Sequence, residues 1–313
     1  MANYIFEILT NNDNLSEWDN FVLQSPQGCI FCQSWWLKIV CKDGFRIFII
    51  RQNEKIIGGL PLQNEYSSSK RVNNMPLLTQ MTGILFFPNI EKINYNKYLS
   101  KNIDIMNLLI ENIDDYESFY MQFHYNFTNW LPFFWKGYQQ TTRYTYIIHK
   151  TNNIDDILNR FSRRKIRDIK KANKIVNIKT DINCGDFYSH HCNSLIKDNK
   201  KIRYSYDRFS RIYNGVYENN AGKSWYAVDN NGHIHSIIFV IYDNISAYYL
   251  VSSIDPDYKS LGSTSLLIWE AMKYIYSFVN IWNFEGSMKH NIEMSFRQFG
   301  GVQTPYFLIT RNK

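Results

Sequence analysis

The side chains best placed to do chemistry lie near the C-terminal end. One run reads Asn283-Phe284-Glu285-Gly286-Ser287-Met288, followed about one short helix later by Phe296-Arg297-Gln298-Phe299-Gly300-Gly301 and then Pro305-Tyr306. It puts a carboxylate just past a strand, beside a glycine that lets another backbone approach closely. Such a carboxylate can take a proton from a nucleophile or orient one. It can equally anchor the Gly286 turn or pair with Arg297. A second run, Asp257-Tyr258-Lys259-Ser260-Leu261-Gly262-Ser263-Thr264-Ser265, follows a strand and opens a helix. Backbone N–H groups and the helix dipole favour an anion at such a start, although an ordinary Gly/Ser-capped helix reads the same way. Glu285 and Arg297 are therefore the expected catalytic pair. Lys259, Leu261, Gly262, Ser263 and Thr264 form the expected anion-binding turn, with Arg297 and Lys259 neutralising phosphates.

A third feature is electrostatic. Arg160, Arg163, Arg164, Lys165, Arg167, Lys170, Lys171 and Lys174 crowd one segment with a single acid, Asp168. Ile154, Ile157, Leu158, Phe161, Ile169 and Ala172 recur at helical spacing, which predicts a buried apolar stripe and an outward basic face. That face could hold the phosphates of an anionic partner, or it could simply be solvated. Lys200, Lys201 and Arg203, followed by Tyr204 and Tyr206, add a second basic and aromatic patch. Arg203, Tyr206, Tyr249, Ser287 and Tyr306 are the expected substrate-binding residues, with Tyr249 and Tyr306 lining a cleft. His190 and His191 adjoin in a helix and point apart. His233 and His235 share one strand face, but no acid or cysteine completes a metal set, so no metal is expected. No Gly-x-Ser-x-Gly elbow of a hydrolase occurs.

The elements that must position these residues can be read from periodicity. In the first half, helices are expected at 15–24 (capped by Asn14 or Ser16), 33–40, 104–113 and 128–135, the last aromatic and closed by Gly137. Strands are expected at 45–51, 55–64, 117–124 and 141–149, with a turn at Asn53-Glu54 and a polar loop at 67–71. In the second half, residues 153–174 and about 184–219 are helical, and Asn230-Asn231-Gly232 turns a hairpin between strands 225–229 and 233–242. Strand 246–254, helix 262–278, strand 280–284, helix 291–299, a stop at Gly300-Gly301 and strand 302–309 complete the chain. Both halves end in the same order: helix, strand, short aromatic helix, glycine, strand. This structural echo predicts two α/β lobes, 1–149 and 150–313, joined near 149–153.

Bulk properties narrow the class. With 45% hydrophobic and 20% charged residues, the chain has a globular balance. The net charge of +7 is uneven: residues 1–148 hold 12 Lys/Arg against 13 Asp/Glu, and residues 149–313 hold 23 against 15. The second half should meet the anionic partner. The N-terminus shows no basic and apolar leader, and no run approaches the roughly 18 apolar residues of a membrane span. Five cysteines, with Cys29 and Cys32 as the sole CxxC, read as buried thiols of a cytoplasmic protein rather than a zinc or redox site.

The C-terminal run resembles the FemAB/FemX-type peptidyltransferases and related acetyltransferase-like proteins, whose strand ends in Asp/Asn-Phe-x-Gly-Ser/Thr and is followed by Phe-Lys/Arg-x-x-Phe-Gly. Phe161-Ser162-Arg163-Arg164-Lys165-Ile166-Arg167-Asp168-Ile169-Lys170-Lys171-Ala172 is similar to their Ser-x-x-x-Arg-x-x-Ile-x-Lys-Ala helix. Lys259, Gly262 and Thr264 stand where GNAT-type acetyltransferases carry the Arg/Gln-x-x-Gly-x-Gly/Ala loop for the coenzyme A pyrophosphate. The resemblance covers most of 150–310 and, more faintly, 130–146. Arg297 replaces the usual Lys of the Fem proteins, and their long helical arm has no counterpart. The resemblance implies an α/β (α+β) fold of two GNAT-like lobes around a substrate cleft, each a mixed, mostly antiparallel sheet flanked by helices. It implies transfer of an acyl or aminoacyl group to an amine of a cell-wall, cell-surface or sugar-nucleotide precursor. Acyl-CoA, or charged tRNA as in the Fem enzymes, would be the co-substrate, with no covalent cofactor. A non-catalytic RNA-binding module is the alternative of another class, since the basic helix alone would serve it.

Overall fold

A computed structural model describes residues 3–41, 44–67, 70–89, 93–286 and 288–312. The chain forms two units. One runs to Arg143 and takes in Pro305 onward; the other spans Tyr144–Thr304. The sequence reading put the division at 149/150 and kept the last strand in the second lobe. The difference arises because the C-terminal strand pairs with 118–122, an antiparallel match that local patterning does not reveal.

In the first unit, β1 (Ile5–Thr10), α1 (Ser16–Gln24), α2 (Ser34–Val40), β2 (Phe45–Gln52) and β3 (Lys55–Gln63) come first. β4 (Glu65–Ser67), β5 (Lys70–Asn73), β6 (Leu85–Phe86), α3 (Tyr95–Asn112), β7 (Ser118–Gln122) and α4 (Leu131–Trp135) follow. Asn53 and Glu54, both at positive φ (49° and 65°), make the two-residue turn that matches the twist of the β2–β3 hairpin. One sheet has the order β1-β2-β3-β6, and β4, β5 and β7 lie side by side in the other. Phe48, Ile50, Leu60, Met106, Leu109, Phe119 and Phe133 are among the side chains that fill the core between sheet and α3. The sequence reading missed β1, β4, β5 and β6, which are short or edge strands, and began α3 too late because its first turns are polar and exposed.

In the second unit, β8 (Gln139–His149) supplies its residues from Tyr144 on. Then come α5 (Ile154–Leu158), α6 (Arg163–Ala172), β9 (Val176–Thr180), α7 (Cys184–Lys197), α8 (Tyr206–Glu218) and β10 (Gly222–Asp229). β11 (Ile234–Tyr242), β12 (Ser246–Ile254), a 3-10 turn (Pro256–Leu261), α9 (Ser263–Ile275), β13 (Ile281–Asn283), α10 (His290–Arg297) and β14 (Val302–Asn312) complete it, β14 up to Thr304. The sheet order is β8-β13-β12-β11-β10-β9. The ladders β9–β10, β10–β11, β11–β12 and β8–β13 are antiparallel, whereas β12–β13 is a parallel pair that needs the crossover through α9. α9 buries Leu266, Leu267, Ile268, Ala271, Met272 and Ile275 against the sheet. The expected helix 153–174 is two helices, because Ser162 takes extended backbone (ψ 150°) and caps α6 by accepting from the Lys165 N–H at 3.3 Å. Among the described residues no helix is long and apolar enough to cross a membrane.

Candidate functional site

The turn that opens α9 is held from three sides. Asp255 accepts from the Asp257 N–H at 3.0 Å, and Lys197 of α7 reaches Asp255 and Asp257 at 2.8 and 2.6 Å. Lys171 of α6 donates to the Ser260 carbonyl at 3.3 Å. Gly262 sits at φ 84°, and a Cβ there would lie 2.7 Å from both the Asp168 carbonyl oxygen and its Cβ. Only glycine lets α6 close on this turn. Ser263 is buried and accepts from the Ser236 hydroxyl at 2.9 Å, so its side chain belongs to the core. Leu261 and Thr264 are half-buried and Lys259 is exposed.

The second turn follows β13. Asn283, fully buried, accepts through Oδ1 from the Thr145 hydroxyl (2.6 Å) and from the Glu285 N–H (2.8 Å). Glu285 and Gly286 are both left-handed, at φ 59° and 70°. A Cβ on Gly286 would stand 2.0 Å from the Tyr144 carbonyl oxygen, so the turn is pressed against β8. Glu285 is half-buried as a residue, but its Oε1 is withdrawn from solvent. Burial pushes its carboxyl well above the usual carboxylate range, toward the protonated form. Ser287 lies outside the described residues.

α10 packs beside this turn through Phe296, whose ring stacks on Phe284 at 4.8 Å. Arg297 is mostly exposed and pairs along its own helix with Glu293 (Nε to Oε1, 3.2 Å). The same Glu293 oxygen accepts from the Tyr146 hydroxyl at 2.5 Å, and Gln303 donates to that hydroxyl at 2.9 Å. The acid paired with Arg297 is thus Glu293, which the sequence reading did not single out.

No family model and no curated protein matches the sequence. Solved structures do. The crystal structure of FemX aligns over 96% of each chain at TM-score 0.70 and 12% identity. A tandem GNAT protein from the clavulanic acid biosynthesis pathway aligns over 98% of each at 0.59 and 10%. A GNAT-family acetyltransferase from Colwellia psychrerythraea aligns over 98% of this chain and 100% of its own at 0.54 and 8%. This chain has the FemX-like, tandem GNAT fold.

Within the FemX-like fold the remaining expected residues scatter. Tyr249, expected on a cleft wall, is 8% exposed and packs among Trp282, Phe284 and Phe296, and its phenol is pushed up to about 12 by burial. Tyr306 lies in the first unit, buried, donating to Gln122 Oε1 at 3.3 Å. Arg203 and Tyr206 are exposed near the start of α8, where Tyr206 packs edge-on against Tyr188. His190 is locked between Ser253 (2.7 Å) and the Ile234 carbonyl (2.9 Å), and burial lowers its pKa. His235 stacks on Tyr258 at 3.9 Å and meets Asp229 at 3.2 Å. None of the five cysteines forms a disulfide. Among the described residues no cluster of three or more His, Cys, Asp or Glu is arranged to hold a metal.

One expectation for the basic helix needs correction. Arg163, Arg164, Arg167, Lys170 and Lys171 of the FemX-like unit do face solvent, but Lys165 is only 9% exposed. It points inward because it stands four residues before Ile169 on the buried stripe, a position that run-level charge counting overlooks.

Proposed function

We propose that the second unit transfers an acyl or aminoacyl group onto an amine, with the donor's phosphates held at the turn before α9. One observation carries the reading. Two left-handed glycine turns, at Gly262 and Gly286, lie in one GNAT-like unit, the second beside a carboxyl that burial holds toward its acid form. The acceptor nitrogen would attack the donor carbonyl carbon. The N–C bond forms as the C–S bond of a thioester, or the C–O bond of an aminoacyl ester, breaks. Protonated Glu285 would give its proton to the leaving sulfur or oxygen and be reprotonated by the proton that the new amide nitrogen sheds; the neutral acid makes this role a better fit than that of base. Holding both reactants supplies about 7 kcal/mol or more at best. Lys259 and Arg297 would balance phosphate charge, with Leu261, Gly262, Ser263 and Thr264 shaping the turn.

Acyl-CoA is the donor we favour, since the tandem GNAT structure is described in relation to AcCoA. The acceptor is an amine of a cell-surface, cell-wall or sugar-nucleotide precursor, and the location cytoplasmic, in keeping with unbridged thiols. A charged tRNA as donor is the second reading. The exposed cations of α6 favour it, because none forms an ion pair among the described residues. Thermal unfolding with coenzyme A, acyl-CoAs, UDP-linked sugars and tRNA separates these cases: a ligand at 100 times its Kd adds about 2.7 kcal/mol. A shift with acyl-CoA together with acyl transfer supports the first. A shift with tRNA that collapses in salt, without transfer, makes the chain an RNA-binding module. No shift with any of them removes the proposal.

A further inference from the structure

Lys165 is a cation in an unusual place. Nine-tenths buried, it forms no ion pair among the described residues. Its Nζ donates to Ser295 Oγ of α10 at 3.0 Å and to Ser265 Oγ in the first turn of α9 at 3.4 Å, and it lies 4.4 Å from the centre of the Phe299 ring. Each partner sits on an element that carries the site. Ser265 follows the Gly262 turn, and Ser295 stands between Glu293 and Arg297. Burying an ammonium without a counter-ion, at the positive end of a helix dipole, is costly. A methionine would fill the same space without that cost.

We propose that Lys165 is a positioning residue for the acyl-transfer site, its amino group tying α10, and with it Arg297, to the turn that opens α9. The inference rests on the function proposed above only for what α10 does once placed. Burial brings the Lys165 pKa down to about 8, helped by Arg164 and opposed by Asp168. From α10 the facing charges are Glu293 and Arg297, which pair with each other. The first turn of α9 contributes Ser263, Thr264 and Ser265 and no charge. Detaching α10 would return the ammonium to water, so the closed arrangement is favoured as Lys165 loses its proton above about 8, and the neutral amine can still donate to both serines.

The test reads α10 directly, by hydrogen exchange of the full chain monitored by mass spectrometry on peptides covering residues 290–299. In the wild type, protection of α10, corrected for intrinsic exchange, should rise about tenfold between pH 7 and 9.5, the direction the burial-depressed Lys165 pKa dictates. Lys165→Met should lack that rise and show lower protection than the wild type above pH 8, with unchanged protection in the first unit as proof of folding, and Ser295→Ala should fall between. Transfer assays on the same variants should show a lower kcat than the wild type while the KM for the donor moves little. Equal α10 protection in wild type and a folded Lys165→Met across the range would overturn the proposal. The expected exchange pattern without transfer from any donor would instead leave the positioning role standing and remove the acyltransferase reading.

Discussion

Replacing Gly286 with alanine isolates what the site's tight turn demands. Two contributions can be separated from the structure. The first is conformational: φ is 70°, and an L-residue there loses roughly 1–2 kcal/mol, partly offset by the reduced freedom of the unfolded chain. The second is contact. The new Cβ would meet the Tyr144 carbonyl oxygen at 2.0 Å and Thr145 Cα at 2.7 Å, whereas ordinary contact begins near 3.4 Å. These are backbone atoms of β8 and cannot swing aside. The turn must move by more than an ångström, which strains the buried bonds that Asn283 accepts from Thr145 (2.6 Å) and from the Glu285 N–H (2.8 Å). Each such loss costs about 1–3 kcal/mol. Gly232→Ala is the control, because φ there is 85° and nothing lies within 4 Å of its Cβ, so only the conformational part applies. Urea unfolding followed by circular dichroism should place Gly286→Ala at least about 3 kcal/mol below Gly232→Ala. Equal losses would show that the turn is not pressed against β8, and the reasoning would fail.

Glu285→Gln should flatten the pH dependence of stability. Between the ordinary value of 4.5 and its raised folded value, the folded state holds a proton that the unfolded chain has released, so wild-type stability falls as pH rises through that window. A wild type and variant with parallel stability curves from acid to alkaline pH would refute the burial of this carboxyl. Lys165 acts with the opposite sign: from about 8 to 10.5 the unfolded chain holds the proton, so stability rises with pH, by about 3 kcal/mol in all, and Lys165→Met should abolish that rise in urea melts. In the first unit, Arg51 binds Glu7 at 2.8 Å and Glu17 at 2.6 Å. Arg51→Met should cost about 1 kcal/mol, less in molar salt, and a loss that salt leaves untouched would point to packing instead.

Local chemistry made much of the fold legible. Asn53-Glu54 and Asn230-Asn231-Gly232 can turn a hairpin wherever they occur, so the β2–β3 and β10–β11 pairs follow from nearby residues. The apolar length of α9 and the glycine before it are equally local. What escaped the sequence depends on neighbours distant along the chain. β9 is polar on one side and becomes a strand by pairing with β10, and the end of β14 pairs with β7 within the first unit. The same division runs through the site. Residue types alone placed a glycine beside Glu285 and another at the start of a helix. Tertiary structure decided that Asp168 and Tyr144 make those glycines obligatory, that Arg297 pairs with Glu293, and that Lys165 turns inward from an otherwise exposed basic face. Periodicity reports which side of a helix is apolar, because that property repeats along the chain. Burial of one charged group is set by the three helices that meet around it, and no local pattern encodes that meeting.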